Sequence, residues 1–161
     1  MWGHEKLAGL FPGDGPGKVF YGNSGADWIS GGKNDVVLHA PKGSGLFGGK
    51  LWVTDIDHVR RFDVATGKME AAIEIRGATF LNDVTIGPDG VVYVSDSGVK
   101  VGKEGFEPTG TDAIYKIVDD KPVTVVKNES LAWPNGLWSL GDHFLVVNLG
   151  GNVLRELDAK G

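Results

Sequence analysis

Oxygen-bearing side chains stand at two similar openings in this sequence, FLND at 80–83 and WPNG at 133–136. Asn82 and Asp83 belong to the first opening and Asn135 to the second, while Glu5 and Lys42 occupy comparable places nearer the start. Carboxylate and amide oxygens are the ligands that hard cations such as Ca²⁺ and Mg²⁺ take in proteins. If the fold gathers these residues, they would form a site for a divalent cation.

The elements that must gather them are short, repeated β-strands. Runs of β-branched and aromatic residues alternate with turn signals, and no window has the apolar period of a helix. The strand-like runs 50–55, 91–96 and 144–148 each end in Asp or Asn, with offsets of 41 and 52 residues. The openings 40–43, 80–83 and 133–136 repeat with offsets of 40 and 53. Four strands in a period of roughly 40 to 50 residues are typical of a β-propeller.

We therefore predict an all-β fold, a β-propeller with about three and a half four-stranded antiparallel blades. The chain is predicted to be one partial propeller domain, 1–161, with blades at about 5–39, 41–77, 80–127 and 128–161, the last incomplete. The larger second offset is explained by an insertion at 98–111, rich in Gly and Lys, between the second and third strands of a blade. This insertion should project over the channel mouth, where it could act as a lid.

Propeller geometry places the start of each first strand and the end of each second strand on one rim. The residues expected to line the channel mouth are Glu5, Lys42, Asn82, Asp83 and Asn135. Those expected behind them are Asn23, Asp55, Asp96 and Asn148. For Asp55, Asp96 and Asn148 we favour a role as turn caps that bond the backbone over a role in binding. For Asn82 and Asn135 we favour binding, because an amide in a tight channel would otherwise be an isolated polar group.

Composition excludes several other classes of protein. The 161 residues carry a net charge of −5 without a basic cluster, which argues against a nucleic-acid surface. No apolar run approaches the roughly 18 residues that a membrane span needs, and residues 1–6 contain no apolar signal core, so we expect a soluble protein, cytoplasmic or periplasmic. The glycine pattern at 43–48 precedes a strand, whereas a dinucleotide fingerprint opens a helix. The four scattered histidines make a zinc site improbable.

The openings at 80–83 and 133–136, with GPDGVVYVSDSG at 87–98, resemble the senescence marker protein/gluconolactonase family of six-bladed propellers. The likeness covers most of the chain from residue 40 onward. It implies one divalent cation at the channel mouth, usually Ca²⁺, and hydrolysis of lactones. By motif, Glu5 and Asn135 correspond to two of the metal ligands of that family. Asn82, with its neighbours Asp83 and Phe80, corresponds to residues that contact the substrate.

The resemblance also shows where this sequence departs from the family. Phe80 stands where some members have an arginine that grips a sugar lactone, which favours a more apolar substrate. The general base and the third metal ligand are expected in a later blade, beyond residue 161. The function expected is a metal-dependent hydrolase of lactones or related esters that acts on a small molecule. The alternative is a non-enzymatic propeller that binds a ligand or a protein partner, because fold alone does not choose between these uses.

An incomplete last blade leaves a strand edge without a partner. The sequence is compatible with a piece of a longer propeller, which we favour. It is also compatible with two copies that associate through their open blade edges.

Overall fold

The computed structural model of this chain describes residues 41–151 and 153–158 with their side chains, and the backbones of three short strands before them. These parts consist of antiparallel strands, turns and loops, with one 3-10 turn at Glu129–Leu131. No helix in the described residues is long and apolar enough to cross a membrane. The prediction of an all-β fold is therefore confirmed.

The described strands form four antiparallel sheets in chain order and a separate two-stranded hairpin. Sheet 1 contains β1 (Val19–Phe20), β2 (Asp27–Ser30) and β3 (Val36–Leu38). Sheet 2 contains β4 (Pro41–Phe47), β5 (Lys50–Asp55), β6 (His58–Asp63) and β7 (Met69–Glu74). Sheet 3 starts with β8 (Leu81–Ile86) and β9 (Val92–Asp96). The insertion hairpin, β10 (Val99–Val101) and β11 (Phe106–Pro108), follows; β12 (Ala113–Val118) and β13 (Lys121–Lys127) then complete sheet 3. Sheet 4 contains β14 (Pro134–Ser139), β15 (His143–Asn148) and β16 (Leu154–Asp158).

Strand β4 was not apparent from composition because it reads PKGSGLF, with two glycines and little β-branching. Its partner β5 supplies the ladder of hydrogen bonds that holds it extended, so tertiary pairing overrides weak local propensity. Gly43 and Gly45 lie inside this strand, and Gly48 and Gly49 turn into β5 with positive φ angles of 56° and 74°. The glycine pattern thus makes a β-hairpin and does not open a helix.

In sheets 2, 3 and 4 the first strand, here called the inner strand, packs beside the inner strand of the neighbouring sheet. Strand β8 lies between β4 and β14. Sheets 2, 3 and 4 therefore stack in chain order, with their three inner strands side by side. Apolar side chains fill the two spaces between the sheets. Between sheets 2 and 3 they include Trp52, Val59, Ile73, Val92, Val94 and Tyr115. Between sheets 3 and 4 they include Tyr93, Ile114, Leu137, Phe144 and Val146.

This arrangement is compatible with a β-propeller, and the described residues form no closed ring. The predicted position of the insertion is confirmed, because the insertion hairpin lies between β9 and β12, the second and third strands of sheet 3. A two-stranded hairpin that joins neighbouring strands lengthens the repeat and leaves the sheet intact. This accounts for the longer second offset in the sequence.

Candidate functional site

A bulge repeats at the start of every inner strand from sheet 2 to sheet 4. The first residue of each inner strand pairs with the Asp or Asn that ends the second strand: Pro41 with Asp55, Leu81 with Asp96, and Pro134 with Asn148. The register then shifts over the next two residues, which are Lys42 and Gly43, Asn82 and Asp83, and Asn135 and Gly136. A bulge redirects side chains and is common beside functional sites. The structure thus places Lys42, Asn82 and Asn135 at equivalent positions on adjacent strands, and Asp83 at the next position, which is glycine in the other two strands.

Buried hydroxyl groups fix the spacing of these bulges. Thr54 Oγ1 accepts from Gly43 N at 3.0 Å and donates to Asn82 O in the next sheet at 2.9 Å. One repeat later, Ser95 Oγ accepts from Asp83 N at 3.0 Å and donates to Asn135 O at 2.6 Å. Both hydroxyl-bearing residues are fully buried.

These hydroxyls were missed from the sequence, although a signal was present. Thr54 and Ser95 each stand directly before the strand-end Asp, so the repeat itself marks them. Buried hydroxyls are hydrogen-bonded almost without exception, and here each one joins its own inner strand to the next. The repeated Thr-Asp and Ser-Asp pairs therefore encode the contact between sheets.

The carboxylate of Asp83 is occupied by backbone contacts. Its Oδ1 accepts from Val84 N at 2.8 Å and its Oδ2 from Leu137 N, in sheet 4, also at 2.8 Å. Gly43 packs directly on this residue, and a Cβ built at position 43 would lie 2.5 Å from Asp83 Cα. Asp83 thus joins three inner strands, which is a structural use of the group. Its proposed contact with substrate stays a prediction.

Asn82 is held by a second buried hydroxyl. Its Nδ2 donates to Ser97 Oγ at 3.0 Å, and Ser97 Oγ donates to Pro134 O, which opens the next inner strand, at 2.7 Å. Since Ser97 is fully buried, this chain of bonds fixes the orientation of the amide. The amide nitrogen is engaged, so the amide oxygen is the atom that a ligand can use.

Aromatic and cationic side chains meet beside Asn82. The Phe80 and Phe106 rings contact edge to face, with centroids 5.5 Å apart, and Lys42 Nζ lies 4.6 Å from the Phe80 centroid. Phe106 belongs to the insertion hairpin, so this hairpin reaches the same end of the inner strands. The hydroxyl of Thr79 lies 2.8 Å from those of Thr109 and Thr111 and ties the base of the hairpin to the segment before β8. We call Lys42, Phe80 and Phe106 the aromatic cap.

Among the residues that end the second strands, Asp96 bonds the backbone, as expected of a turn cap. Asp96 accepts from Phe80 N at 3.0 Å and Gly98 N at 3.1 Å, and it closes the loop before β8. Asp55 pairs with Arg60 at 3.0 Å, and Asn148 donates its amide to Leu131 O. The capping role is confirmed for Asp96. Glu5 and Asn23 lie outside the described residues.

The approach to Asn135 is conformationally strained. Ala132 and Trp133 have φ angles of 55° and 60°, in the left-handed region that non-glycine residues rarely adopt. Asp112, a buried carboxylate missed from the sequence, accepts from Trp133 N at 2.7 Å, and Gly150 N donates to Ala132 O at 3.1 Å. Two such residues in succession persist only where neighbours hold them, as is common at binding sites. The loop before Asn135 is therefore built by contacts from sheets 3 and 4.

The cation site expected from the sequence is not complete in the part of the chain that the structure describes. No group of three or more His, Asp or Glu side chains there could hold a metal ion. Asn82 and Asn135 offer neutral amide oxygens, and both Asp83 oxygens accept backbone hydrogen bonds. Ca²⁺ takes about six to eight oxygens, among them carboxylates. The described residues therefore fit such an ion only in part.

No protein-family model matches this chain, and no curated protein is similar to it at a significant level.

Proposed function

We propose that this chain forms part of a β-propeller of the gluconolactonase type, which hydrolyses lactones or related esters at its channel mouth. The observation that carries the proposal is the repeated bulge, which sets Asn82 and Asn135 at equivalent places on adjacent inner strands. In the family that these motifs resemble, the residue matching Asn82 contacts the substrate and the residue matching Asn135 binds the cation. The described residues would then supply the substrate-binding side of the mouth, with Asn135 as one metal ligand.

The aromatic cap supports an apolar substrate. Phe80 and Phe106 place two rings beside Asn82, and the Phe106 ring is partly exposed. Exposed aromatic faces favour apolar ligand surface over a polyhydroxylated sugar. Lys42 beside Phe80 adds a positive charge at the same place, which suits a carbonyl or carboxylate oxygen.

The cation belongs to the proposal through Asn135 and Glu5. A bound divalent cation would polarise the carbonyl of a lactone. Since the described residues complete no such site, we assign them only binding and orientation: Asn82 presents an amide oxygen, and the aromatic cap excludes water from one side. In this proposal, no described residue supplies the base that activates water.

A specific observation favours the non-enzymatic alternative. The acidic side chains at the starts of the inner strands and beside them, Asp83, Asp96 and Asp112, all accept hydrogen bonds from backbone N–H groups. A carboxylate used in this way stabilises loops and strands and is poorly suited to take a proton from water. The alternative is a propeller mouth that binds a ligand and does not transform it.

Calorimetric titration with Ca²⁺ tests the metal assignment. We expect binding by the unaltered chain and at least a tenfold weaker affinity in Asn135→Ala. Asn128→Ala is the matched control, because it removes an exposed amide that caps the 3-10 turn and does not belong to an inner strand. Absence of heat from both the unaltered chain and Asn135→Ala would defeat the metal assignment for this chain.

Lactone binding separates the two functions. Titration with an aryl lactone and with glucono-lactone should show tighter binding of the aryl compound, weakened by Phe106→Ala and by Asn82→Ala. Release of the hydroxy acid would favour the hydrolase. Binding without turnover, with or without Ca²⁺, would favour the non-enzymatic alternative.

A further inference from the structure

Ser97 stands at a place where sheets 2 and 4 have no hydroxyl group. It directly follows the last residue of β9, and the residues that follow the corresponding strands of sheets 2 and 4 are Ile56 and Leu149. Asn135 therefore has no hydroxyl partner from the equivalent place in its own sheet, whereas the side chain of Asn82 bonds Ser97.

The single hydrogen of the Ser97 hydroxyl is committed to the next sheet. Pro134 O accepts this hydrogen bond at 2.7 Å, and a carbonyl oxygen can only accept. Where sheets 2 and 3 meet, Leu81 N donates to Ile56 O at 2.7 Å, but a proline has no N–H to donate in the same way. The Ser97 hydroxyl thus makes the contact that the nitrogen of Pro134 cannot make, and its hydrogen is not available to Asn82.

This commitment decides which way the amide of Asn82 turns. Ser97 Oγ can only accept from that amide, so the atom that lies 3.0 Å away is Nδ2 and not Oδ1. The terminal torsion of an Asn side chain is roughly twofold, so without this partner either atom can face a ligand. Ser97 is fully buried, and Thr54 Oγ1 donates to Asn82 O at 2.9 Å, so both the side chain and the backbone of Asn82 are held.

The amide oxygen of Asn82 is left for a ligand. No described residue donates to Asn82 Oδ1, and this atom is not one of the buried polar atoms without a partner, so it is accessible. An amide oxygen accepts hydrogen bonds from N–H and O–H groups and makes none with a carbonyl. A lactone ring has only acceptors, so Asn82 gains no hydrogen bond from the ring itself. The part of a substrate that meets Asn82 must carry a donor.

We propose that Ser97 is a positioning residue which, through Asn82, selects lactones or esters that carry a hydroxyl or N–H group beside the carbonyl. This inference rests on the proposed function, in which Asn82 contacts the substrate and Asn135 binds the cation. Lys42 stands at the equivalent place on the adjacent inner strand, and its ammonium group suits the carbonyl oxygen. A ligand with a donor beside its carbonyl can meet both side chains, with its apolar part against the rings of the aromatic cap.

Calorimetric titration with two matched lactones tests the selection. One is an aryl lactone with a hydroxyl group beside the carbonyl, and the other is the same compound with that hydroxyl methylated, so that it accepts but does not donate. Both titrations contain Ca²⁺. We expect the unaltered chain to bind the hydroxyl compound about tenfold more tightly, because methylation leaves Asn82 Oδ1 without a donor. Ser97→Ala should bring the ratio of the two affinities close to one, since the amide can then turn and offer its nitrogen.

Ser95→Ala is the matched control. It removes another fully buried hydroxyl that joins sheet 3 to sheet 4, but one that bonds backbone atoms and not the side chain of Asn82. It should lower stability, as Ser97→Ala does, and leave the ratio of the two affinities unchanged. Equal affinities of the unaltered chain for the two lactones, or an equal loss of selection in both variants, would overturn the proposal.

NMR of the Asn82 side-chain amide tests the orientation without a ligand and in the unaltered chain. The Nδ2 signals are identified by their loss in Asn82→Asp. We expect slow exchange of the Nδ2 protons with solvent in the unaltered chain and about tenfold faster exchange in Ser97→Ala. Fast exchange in the unaltered chain would refute the positioning role. Slow exchange that depends on Ser97, without binding of either lactone, would support the positioning role and overturn the ligand class together with the proposed function.

Discussion

Ser95 shows how much of this structure depends on single polar atoms. Its hydroxyl is fully buried, and it joins Asp83 N in its own inner strand to Asn135 O in the next. Both bonds fall at bulges, where the ordinary strand ladder is interrupted. The hydroxyl therefore replaces ladder hydrogen bonds that the bulges remove.

We expect Ser95→Ala to lower the free energy of unfolding by about 1–3 kcal/mol, the cost of leaving buried polar groups without partners. Urea denaturation measures this as a lower midpoint at unchanged slope. The control Ser44→Ala removes an exposed hydroxyl from β4 and should change stability by less than about 0.5 kcal/mol. Equal effects of the two substitutions would show that the hydroxyl bridge contributes nothing.

At the scale of elements, the insertion hairpin is attached to sheet 3 through Gly98. This residue has a φ of 61°, its carbonyl accepts from Thr109 N at 2.7 Å, and Asp112 packs against it so closely that a Cβ would lie 2.5 Å from Asp112 N. Only glycine satisfies both the left-handed backbone and the close approach. The hairpin that carries Phe106 thus depends on one glycine at its base.

Gly98→Ala should destabilise the protein by several kcal/mol, because it adds a steric clash to the left-handed backbone. Gly77→Ala is the matched control, since Gly77 has a φ of 83° and open space around it. It should cost only about 1–2 kcal/mol, the penalty of the left-handed conformation alone. Thermal unfolding and hydrogen exchange of residues 99–108 compare the two. Equal losses would mean that Asp112 moves aside and that the close contact is not limiting.

At the scale of the whole molecule, we expect a charge network on sheet 2 to contribute to acid sensitivity. Asp63 accepts from Lys50 Nζ at 2.9 Å and from Thr66 N and Oγ1 at 2.8 Å. The hydrogen bond from Lys50, followed by those from Thr66, holds the pKa of Asp63 well below its usual value. Glu70 also binds Lys50, at 2.5 Å, and with Asp63 raises the pKa of the Lys50 ammonium group.

Because the folded pKa of Asp63 is lowered, the unfolded chain binds more protons between that pKa and the unfolded value of about 3.9. Stability due to Asp63 is therefore complete above about pH 4 and is lost as the pH falls toward the folded pKa. We expect Asp63→Asn to give a flatter decline in stability between about pH 4 and pH 2 than the unaltered chain. Lys50→Met, which removes the partner, should flatten it as well. Chemical denaturation gives the free energy of unfolding at each pH. If this free energy falls in parallel with pH for the unaltered chain and both variants, the network is excluded as a source of acid sensitivity.

The sequence by itself determined the repeat, the antiparallel strands and the place of the insertion, because these follow from alternation, turn residues and spacing along the chain. It also marked Asn82 and Asn135, since their openings recur at the starts of inner strands. It could not identify β4, whose glycine-rich stretch is extended only because β5 pairs with it.

Only the tertiary structure decided what the polar side chains do. Asp83 looks available for a ligand in the sequence, yet its carboxylate joins β8 to β14 across 54 residues of chain. Ser95 is marked only by its place before the strand-end Asp, and Ser97 and Asp112 carry no comparable signal; the roles of all three depend on bulges and on neighbouring sheets. The stacking of sheets 2, 3 and 4, which joins residues far apart along the chain, is what gives these side chains their roles.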